Sequence, residues 1–87
     1  MTPQSWPDWW EWELELSDHL LERMIDRGFN ETDLREMMDR ATGWRPDDGD
    51  PGRFLIDAQH AGGKWDICVE PDELEHVLVV ITAYRVE

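Results

Sequence analysis

Basic residues are scarce in this chain of 87 residues: eight Lys and Arg stand against 21 Asp and Glu, giving a formal charge of −13. Nucleic-acid affinity normally comes from Lys and Arg that replace counterions on phosphates. This charge therefore disfavours binding to an extended RNA unless the cations collect in one place, and it favours a cationic protein partner. A high-salt habitat would produce the same composition.

Cysteine and long apolar runs are also nearly absent. The single Cys68 excludes an internal disulfide and fits a reducing cytoplasm. The longest apolar run, Val77 to Ile81, is far shorter than the ~20 residues that span a bilayer. The first residues lack the basic and apolar regions of a signal peptide. We expect a cytoplasmic chain with no membrane partner, folded as one domain over residues 1–87.

Tryptophan is concentrated in the first 16 residues, a Trp-rich segment. Residues 10–16 alternate Trp or Leu with Glu, which predicts a strand with one buried and one anionic face. Trp6 and Trp9 precede this strand. Because exposed aromatic residues are favoured at interfaces, these two are candidate partner-binding residues. The alternative is that all four tryptophans from Trp6 to Trp12 cover a small core.

Two helices are predicted next. Ser17 is an N-cap for a helix that runs to about Arg27, and Gly28 can adopt the left-handed conformation that ends it. Asn30 begins a second helix that ends by Gly43. Its apolar positions share one stripe: Leu34, Met37, Met38 and Ala41. The short connection indicates an αα-hairpin.

Three strands follow a predicted loop at residues 45–52. Residues 53–60 and 64–70 alternate around Gly62-Gly63, a two-residue turn signal that pairs His60 with Trp65. Residues 77–84 form a nearly continuous apolar strand. The predicted fold class is α+β with the order β-α-α-β-β-β, two helices packed on a small antiparallel sheet.

The first helix carries the most distinctive group of polar residues. Leu20, Leu21, Met24 and Ile25 are predicted to form its apolar arc. His19, Arg23 and Arg27 recur every four residues along one border of that arc. They could bind a phosphate, with the imidazole titrating near neutral pH. The alternative is ordinary ion pairing on a solvated helix face.

The predicted sheet contributes further candidates. His60 lies at the end of a strand beside Trp65, either as an active-site group or as a residue that packs against an aromatic ring. Lys64 either extends a cationic surface or protects a strand edge. No metal-binding motif or phosphate-binding glycine loop is present, so we expect no metal and no cofactor. Cys68 is predicted to be a small buried residue.

Residues 19–28, His-Leu-Leu-Glu-Arg-Met-Ile-Asp-Arg-Gly, resemble the H-x-x-x-R-M-x-x-R-G helix of a family of small uncharacterised bacterial domains. The likeness covers about residues 16–85 and ends in a T-x-Y pattern at residues 82–84. In element order that family is similar to the RelE, ParE and BrnT toxins. The resemblance implies a RelE-like fold and a metal-independent ribonuclease that works with a cognate antitoxin.

The same resemblance implies roles for particular residues. His19 would transfer the proton, Arg23 and Arg27 would hold the phosphate, and Tyr84 would position it. His60 and Lys64 would join from the sheet. The alternative function is a non-catalytic interaction module that binds a protein through its acidic, Trp-rich surface. The oligomeric state stays open, a homodimer included.

Overall fold

Five strands form one mixed sheet, in the order β1-β5-β4-β3-β2. The structure is a computed structural model and describes residues 6–86, so the first five residues of the Trp-rich segment lie outside it. A 3-10 helix spans Asp8–Glu11, and the other elements are β1 (Glu13–Leu16), α1 (Asp18–Arg27), α2 (Glu31–Asp39), β2 (Gly43–Pro46), β3 (Phe54–His60), β4 (Gly63–Asp72) and β5 (Val77–Val86). The α+β class and the predicted order are confirmed, with one strand added.

The prediction of a purely antiparallel sheet is wrong for β1. This strand pairs in parallel with β5, where Leu14 lies opposite Leu78 and Leu16 opposite Val80. The predicted strand also begins too early. The chain turns at Pro7, whose carbonyl accepts the Trp10 N–H at 3.0 Å, so Trp10 belongs to the 3-10 helix.

Both predicted helix caps are present. The Ser17 hydroxyl accepts the Leu20 N–H at 3.0 Å, and Gly28 has a φ of 72°, the left-handed conformation expected of a helix-ending glycine. Asn30 and Asp33 form a reciprocal capping box at the start of α2. The sequence therefore positions both helices through local hydrogen bonds.

The β3–β4 hairpin differs from its predicted register by two residues. The turn is formed by Ala61 and Gly62, whose φ values of 52° and 79° are both positive, as a type I′ turn requires. His60 consequently pairs with Gly63, and Ala58 rather than His60 pairs with Trp65. A shift of two residues leaves each side chain on its predicted face, because only odd shifts exchange the faces.

An extra strand occupies part of the predicted loop. β2 pairs with β3 from Gly43 to Pro46, and the Thr42 N–H donates to the Asp57 carbonyl at 3.0 Å. Aromatic packing accounts for this strand, since the Trp44 ring lies 5.7 Å from Trp9 and 5.6 Å from Phe54. Such a contact between distant segments leaves no local pattern in the sequence.

Both helices contribute to a core on one face of the sheet, from Leu20 and Met24 in α1 and from Leu34, Met37 and Met38 in α2. The predicted apolar arc of α1 is too wide, because Leu21 is 46% and Ile25 is 84% exposed. Cys68 is buried as predicted. Within residues 6–86, no helix has the length and apolar character needed to cross a bilayer.

Candidate anion-binding site at the hairpin end

The predicted stripe on α1 does not converge on a single point. His19 is exposed in the first turn, and Arg23 pairs with Asp26 at 3.2 Å on the same helix. Arg27 instead donates to the carbonyl of Ala83 at 2.7 Å. The three side chains extend over about 12 Å of helix, because each residue rises about 1.5 Å.

Arg27 belongs to a set of contacts that cover the outer edge of β5 beyond the end of β1. The Ser17 N–H donates to the Val80 carbonyl at 3.1 Å, and the Ser17 hydroxyl donates to the Ile81 carbonyl at 2.9 Å. Arg27 then reaches Ala83. Helix α1 thus satisfies carbonyl groups that a short neighbouring strand would leave unpaired.

Tyr84 lies apart from that stripe. Neighbouring residues of a strand point to opposite faces, and Ala83 is buried among the helices, so Tyr84 faces the other side of the sheet. It is half-buried there, opposite Asp66. Burial, reinforced by the charge of Asp66, raises the pKa of the Tyr84 hydroxyl. The structure does not bring Tyr84 together with His19.

His60 lies at the end of the sheet where β3 turns into β4, which we call the hairpin end. Its ring meets Trp65 edge-on at 5.7 Å, as the predicted packing role requires. His60 also lines an open groove of about 320 Å³ with Glu36 and Arg40 of α2. The imidazole is therefore accessible beside a cation, a position that suits proton transfer near an anion.

Arg85 is a residue of this region that the sequence did not single out. Its guanidinium lies over Gly63, where a Cβ atom would approach Nε to 2.7 Å. Arg85 is paired in register with Trp65, and the next strand residue, Val86, is paired with Lys64. The absence of a side chain at Gly63 thus creates the space in which Arg85 lies. Only the β4–β5 register could have revealed this relation.

The cations divide into two groups. Arg23, Arg35, Arg45 and Arg53 form ion pairs with nearby carboxylates. Across residues 6–86, Arg27, Arg40 and Lys64 form no ion pair. Arg40 lines the groove of His60. Lys64 is the second residue of β4, at the hairpin end but on the opposite face of the sheet from His60. Arg27 bonds Ala83, which pairs with Ile67 near the middle of β4. Two of these three cations thus lie at the hairpin end.

Three carboxylates lie close to these cations. Glu36 lines the groove of His60, and Lys64 shares a second groove, of about 260 Å³, with Asp57 and Asp66. The two aspartates lie directly opposite each other on β3 and β4, an unfavourable arrangement for like charges. Arg45 bridges them, bonding Asp57 and, at 2.8 Å, Asp66. Their combined charge is thereby reduced from −2 to −1, the same magnitude as that of Lys64.

The indole N–H of Trp65 has an unusual environment. Trp65 is 6% exposed, and its Nε1 atom has no hydrogen-bond acceptor among residues 6–86. A buried donor without a partner costs about 1–3 kcal/mol. A donor beside His60 adds a further polar group to this end of the core. No three His, Cys, Asp or Glu residues of the described chain are grouped so that they could hold a metal ion.

The predicted partner-binding tryptophans differ in position. Trp9 is 9% exposed and packs in the core against Phe54 at 5.0 Å, so the expectation that it is exposed is wrong, while its role in partner binding stays a prediction. Trp6 is half-buried and stacks on Trp10 at 4.4 Å. The alternative prediction was that these tryptophans cover the core. Trp9 is part of the core, and the partly buried Trp10 and Trp12 pack against the core.

Comparison with known proteins identifies one family. The model for a domain of unknown function, DUF4258, matches residues 16–85. The chain belongs to the DUF4258 family. No curated protein and no solved structure matches it. The resemblance to an uncharacterised domain family is therefore confirmed over the predicted residues, and a relation to the RelE, ParE or BrnT toxins stays a proposal.

The DUF4258 match places the hairpin end inside the family domain. It includes both helices and strands β2 to β4 entirely, together with β5 as far as Arg85. The 3-10 helix and most of β1 lie outside it. His60, Lys64 and Arg85 thus belong to the matched family domain, whereas residues 1–15 of the Trp-rich segment precede it.

Proposed function

We propose that this DUF4258 domain is a toxin-type protein that acts on RNA at its hairpin end. The observation that carries the proposal is the segregation of charge. In a chain of net charge −13, three cations, Arg40, Lys64 and Arg85, lie at the same end of the sheet as His60. A phosphodiester is the anion class that such a group of donors would bind on RNA.

The chemistry that this group could support is cleavage without a metal, in which the RNA supplies its own nucleophile. His60 would take the proton of a ribose 2′-hydroxyl as O2′ bonds to phosphorus. The P–O5′ bond would then break, and the leaving O5′ would take a proton from water. The products are a 2′,3′-cyclic phosphate and a 5′-hydroxyl. Arg40, which lines the same groove, would stabilise the charge on phosphorus in the transition state, and Lys64, on the other face of the sheet, would contact a flanking phosphate.

The overall charge limits the kind of RNA that this site would accept. Long-range repulsion from 21 acidic residues opposes an extended complex, so a short single-stranded region is the favoured substrate. Three or four phosphate contacts would give a slope of about −2 to −3 for the logarithm of affinity against that of salt concentration, at about −0.7 per contact. A much steeper slope would contradict a site of this size.

The binding half of the proposal can be tested with matched charge variants. We expect Arg40→Gln and Lys64→Gln each to weaken binding of a fluorescent single-stranded RNA about fivefold or more, measured by anisotropy at low salt. Arg35→Gln removes the same charge from an exposed ion pair on α2 and should leave the affinity unchanged. Equal losses in all three variants would indicate a general charge effect and reject the site.

The catalytic half can be tested by comparing the three histidines. We expect His60→Ala to abolish cleavage of cellular RNA and toxicity on expression, whereas His19→Ala and His76→Ala should retain both. Far-ultraviolet circular dichroism confirms that each variant is folded. If only His19→Ala abolishes cleavage, the site lies on α1 instead. Harmless expression of the unaltered chain with no RNA cleavage would reject a toxin function.

A second candidate function is a protein-interaction module, as the acidic, Trp-rich surface suggested. One observation favours it, namely an apolar groove with an acidic rim at the opposite end of the sheet. A toxin that works with an antitoxin also needs such a surface, so the two functions are compatible. RNA binding distinguishes the two functions, because the toxin requires it and the interaction module does not.

A further inference from the structure

The end of the sheet where β4 turns into β5, which we call the turn end, contains an open groove of about 630 Å³. Its apolar lining is shared between the Trp-rich segment and three strands. It consists of Trp9, Phe54, Pro71, Val79 and Ile81. Neither His60 nor the cations of the hairpin end line this groove, so a partner bound here would not occupy the proposed RNA site.

Carboxylates surround this apolar lining. Glu70, Asp72 and Glu73 also line the groove. Glu70 is partly neutralised by Arg53, which bonds it at 3.0 Å. None of the lining residues that the structure describes is Lys or Arg. The groove therefore has an apolar floor and a negative rim.

A neighbouring groove extends the same surface. It has about 380 Å³, shares Trp9 and Glu73 with the first, and adds Asp8, Trp12 and His76. The rings of Trp12 and His76 are stacked, with centroids 4.5 Å apart. A tryptophan face beside carboxylates attracts ammonium and guanidinium groups, with energies of about 0.5–2 kcal/mol. A Lys or Arg side chain would thus find both charge and an aromatic surface here.

The turn that carries this rim is held by its own hydrogen bonds. Asp72 accepts the N–H groups of Leu74 and Glu75, both at 3.1 Å. His76 follows with a φ of 57°, a left-handed conformation that non-glycine residues adopt rarely. The side chain of Leu74 is almost fully exposed at the tip of the turn. A preorganised acidic turn with one exposed leucine is suited to binding, because it loses little conformational entropy when a partner docks.

We propose that the turn-end surface is a docking site for a basic amphipathic segment of a partner protein. The apolar side chains of the segment would occupy the groove of Trp9, Phe54 and Val79, and its Lys or Arg side chains would meet Asp8, Asp72 and Glu73. Charge complementarity decides the occupant, since an RNA or an acidic peptide would be repelled by this rim. This inference goes beyond the proposed action on RNA and does not depend on it.

The test uses the full chain and a synthetic peptide of about 12 residues in which Leu and Lys alternate, with a Leu/Glu peptide as its counterpart. We expect the Leu/Lys peptide to bind in calorimetry and the Leu/Glu peptide not to bind. Glu73→Lys should weaken that binding at least tenfold. Glu22→Lys makes the same charge change on the exposed face of α1, away from the groove, and should cost much less.

A third variant separates the apolar contact from charge. Val79→Thr keeps the shape of the side chain while adding a hydroxyl to the groove, and it should weaken the Leu/Lys peptide several-fold. Equal losses in Glu73→Lys and Glu22→Lys would overturn the proposal, because binding would then follow net charge alone. Self-association of the unaltered chain that is abolished by Glu73→Lys would overturn it too, in favour of a second copy. RNA affinity should be no weaker in Glu73→Lys, which distinguishes failure here from failure of the RNA site.

Discussion

The two ends of the sheet differ in both charge and construction. At the hairpin end, a two-residue turn brings a histidine, an indole N–H and several cations around the last residues of β5. At the turn end, aromatic rings from the Trp-rich segment pack beside carboxylates. The comparison teaches that, in a chain of net charge −13, acidic and basic residues need not be distributed evenly over the surface. On our proposals, one small sheet would bind an anion at one end and a cationic segment at the other.

The largest expected effect comes from removing the aromatic support of the turn end. Trp9→Ala deletes a buried ring that meets Phe54 at 5.0 Å and Trp44 at 5.7 Å. Such a truncation costs about 3–5 kcal/mol. A domain of this size has a total stability of about 4–13 kcal/mol. Urea denaturation should therefore show the loss of a large part of the free energy of unfolding.

The matched control for that variant is Trp6→Ala, which removes a half-buried ring stacked on Trp10. We expect a cost of about 1 kcal/mol or less, because half-buried rings contribute less apolar burial. Trp9→Phe should recover part of the loss. If Trp6→Ala and Trp9→Ala proved equally destabilising, the turn end would not depend on a central buried tryptophan.

A smaller change sharpens the description of the hairpin end. In Gly63→Ala the new methyl group would overlap the guanidinium of Arg85 and force it to move. Because that group ends a flexible side chain, the free energy of unfolding should change by less than about 1 kcal/mol. RNA affinity should nevertheless fall several-fold, since the cation has moved. Both quantities can be measured by urea denaturation and by anisotropy.

Gly49→Ala is the control for this substitution, since its new methyl group would meet only the Asp47 side chain, at an ordinary 3.8 Å. It should leave RNA affinity unchanged. If Gly63→Ala also left the RNA affinity unchanged, Arg85 would not be part of the proposed site. Arg40 and Lys64 would then be the cations that contact the RNA.

The smallest expected effect concerns the sheet between the two ends. Burial raises the pKa of Cys68 from its ordinary 9.0 and that of Tyr84 from 10.0, so the folded state favours the protonated forms of both. Their contribution to stability is complete below those ordinary values and is lost as pH rises through the raised ones. Urea midpoints should thus decline slightly above about pH 9. The variant with Cys68→Ala and Tyr84→Phe should show a flatter profile, and an unchanged decline would assign it to other groups.

Local signals predicted the elements that local interactions form. The caps at Ser17 and Asn30 and the left-handed Gly28 were readable, because each depends on residues within four positions. The faces of β3 and β4 were predicted as well. The register of these strands was not predicted, because the turn is formed by Ala61 and Gly62 instead of Gly62 and Gly63. Ala61 adopts a positive φ at a steric cost, and the sequence pattern does not reveal this conformation.

Features that depend on distant contacts could not be predicted. β2 and the 3-10 helix arise from the packing of Trp9 against Trp44 and Phe54. The exposure of Leu21 and Ile25 depends on how α1 lies along β5. In the candidate site, His60 and Lys64 were named from the sequence and lie at one end of the sheet, on opposite faces, and their roles stay predictions. Arg85 was missed because its position depends on the β4–β5 register.

The parallel pairing of the first strand with the last has a consequence for how the chain folds. Ser17 bonds Ile81 across 64 positions of sequence, and the register from Leu14 to Leu78 spans as many. Pairings of such high sequence separation slow folding, because the loop must close before the contact stabilises it. During synthesis β1 must therefore wait for β5 to leave the ribosome before it can pair. Strands β2, β3 and β4 can pair earlier, because their partners lie close together in the sequence.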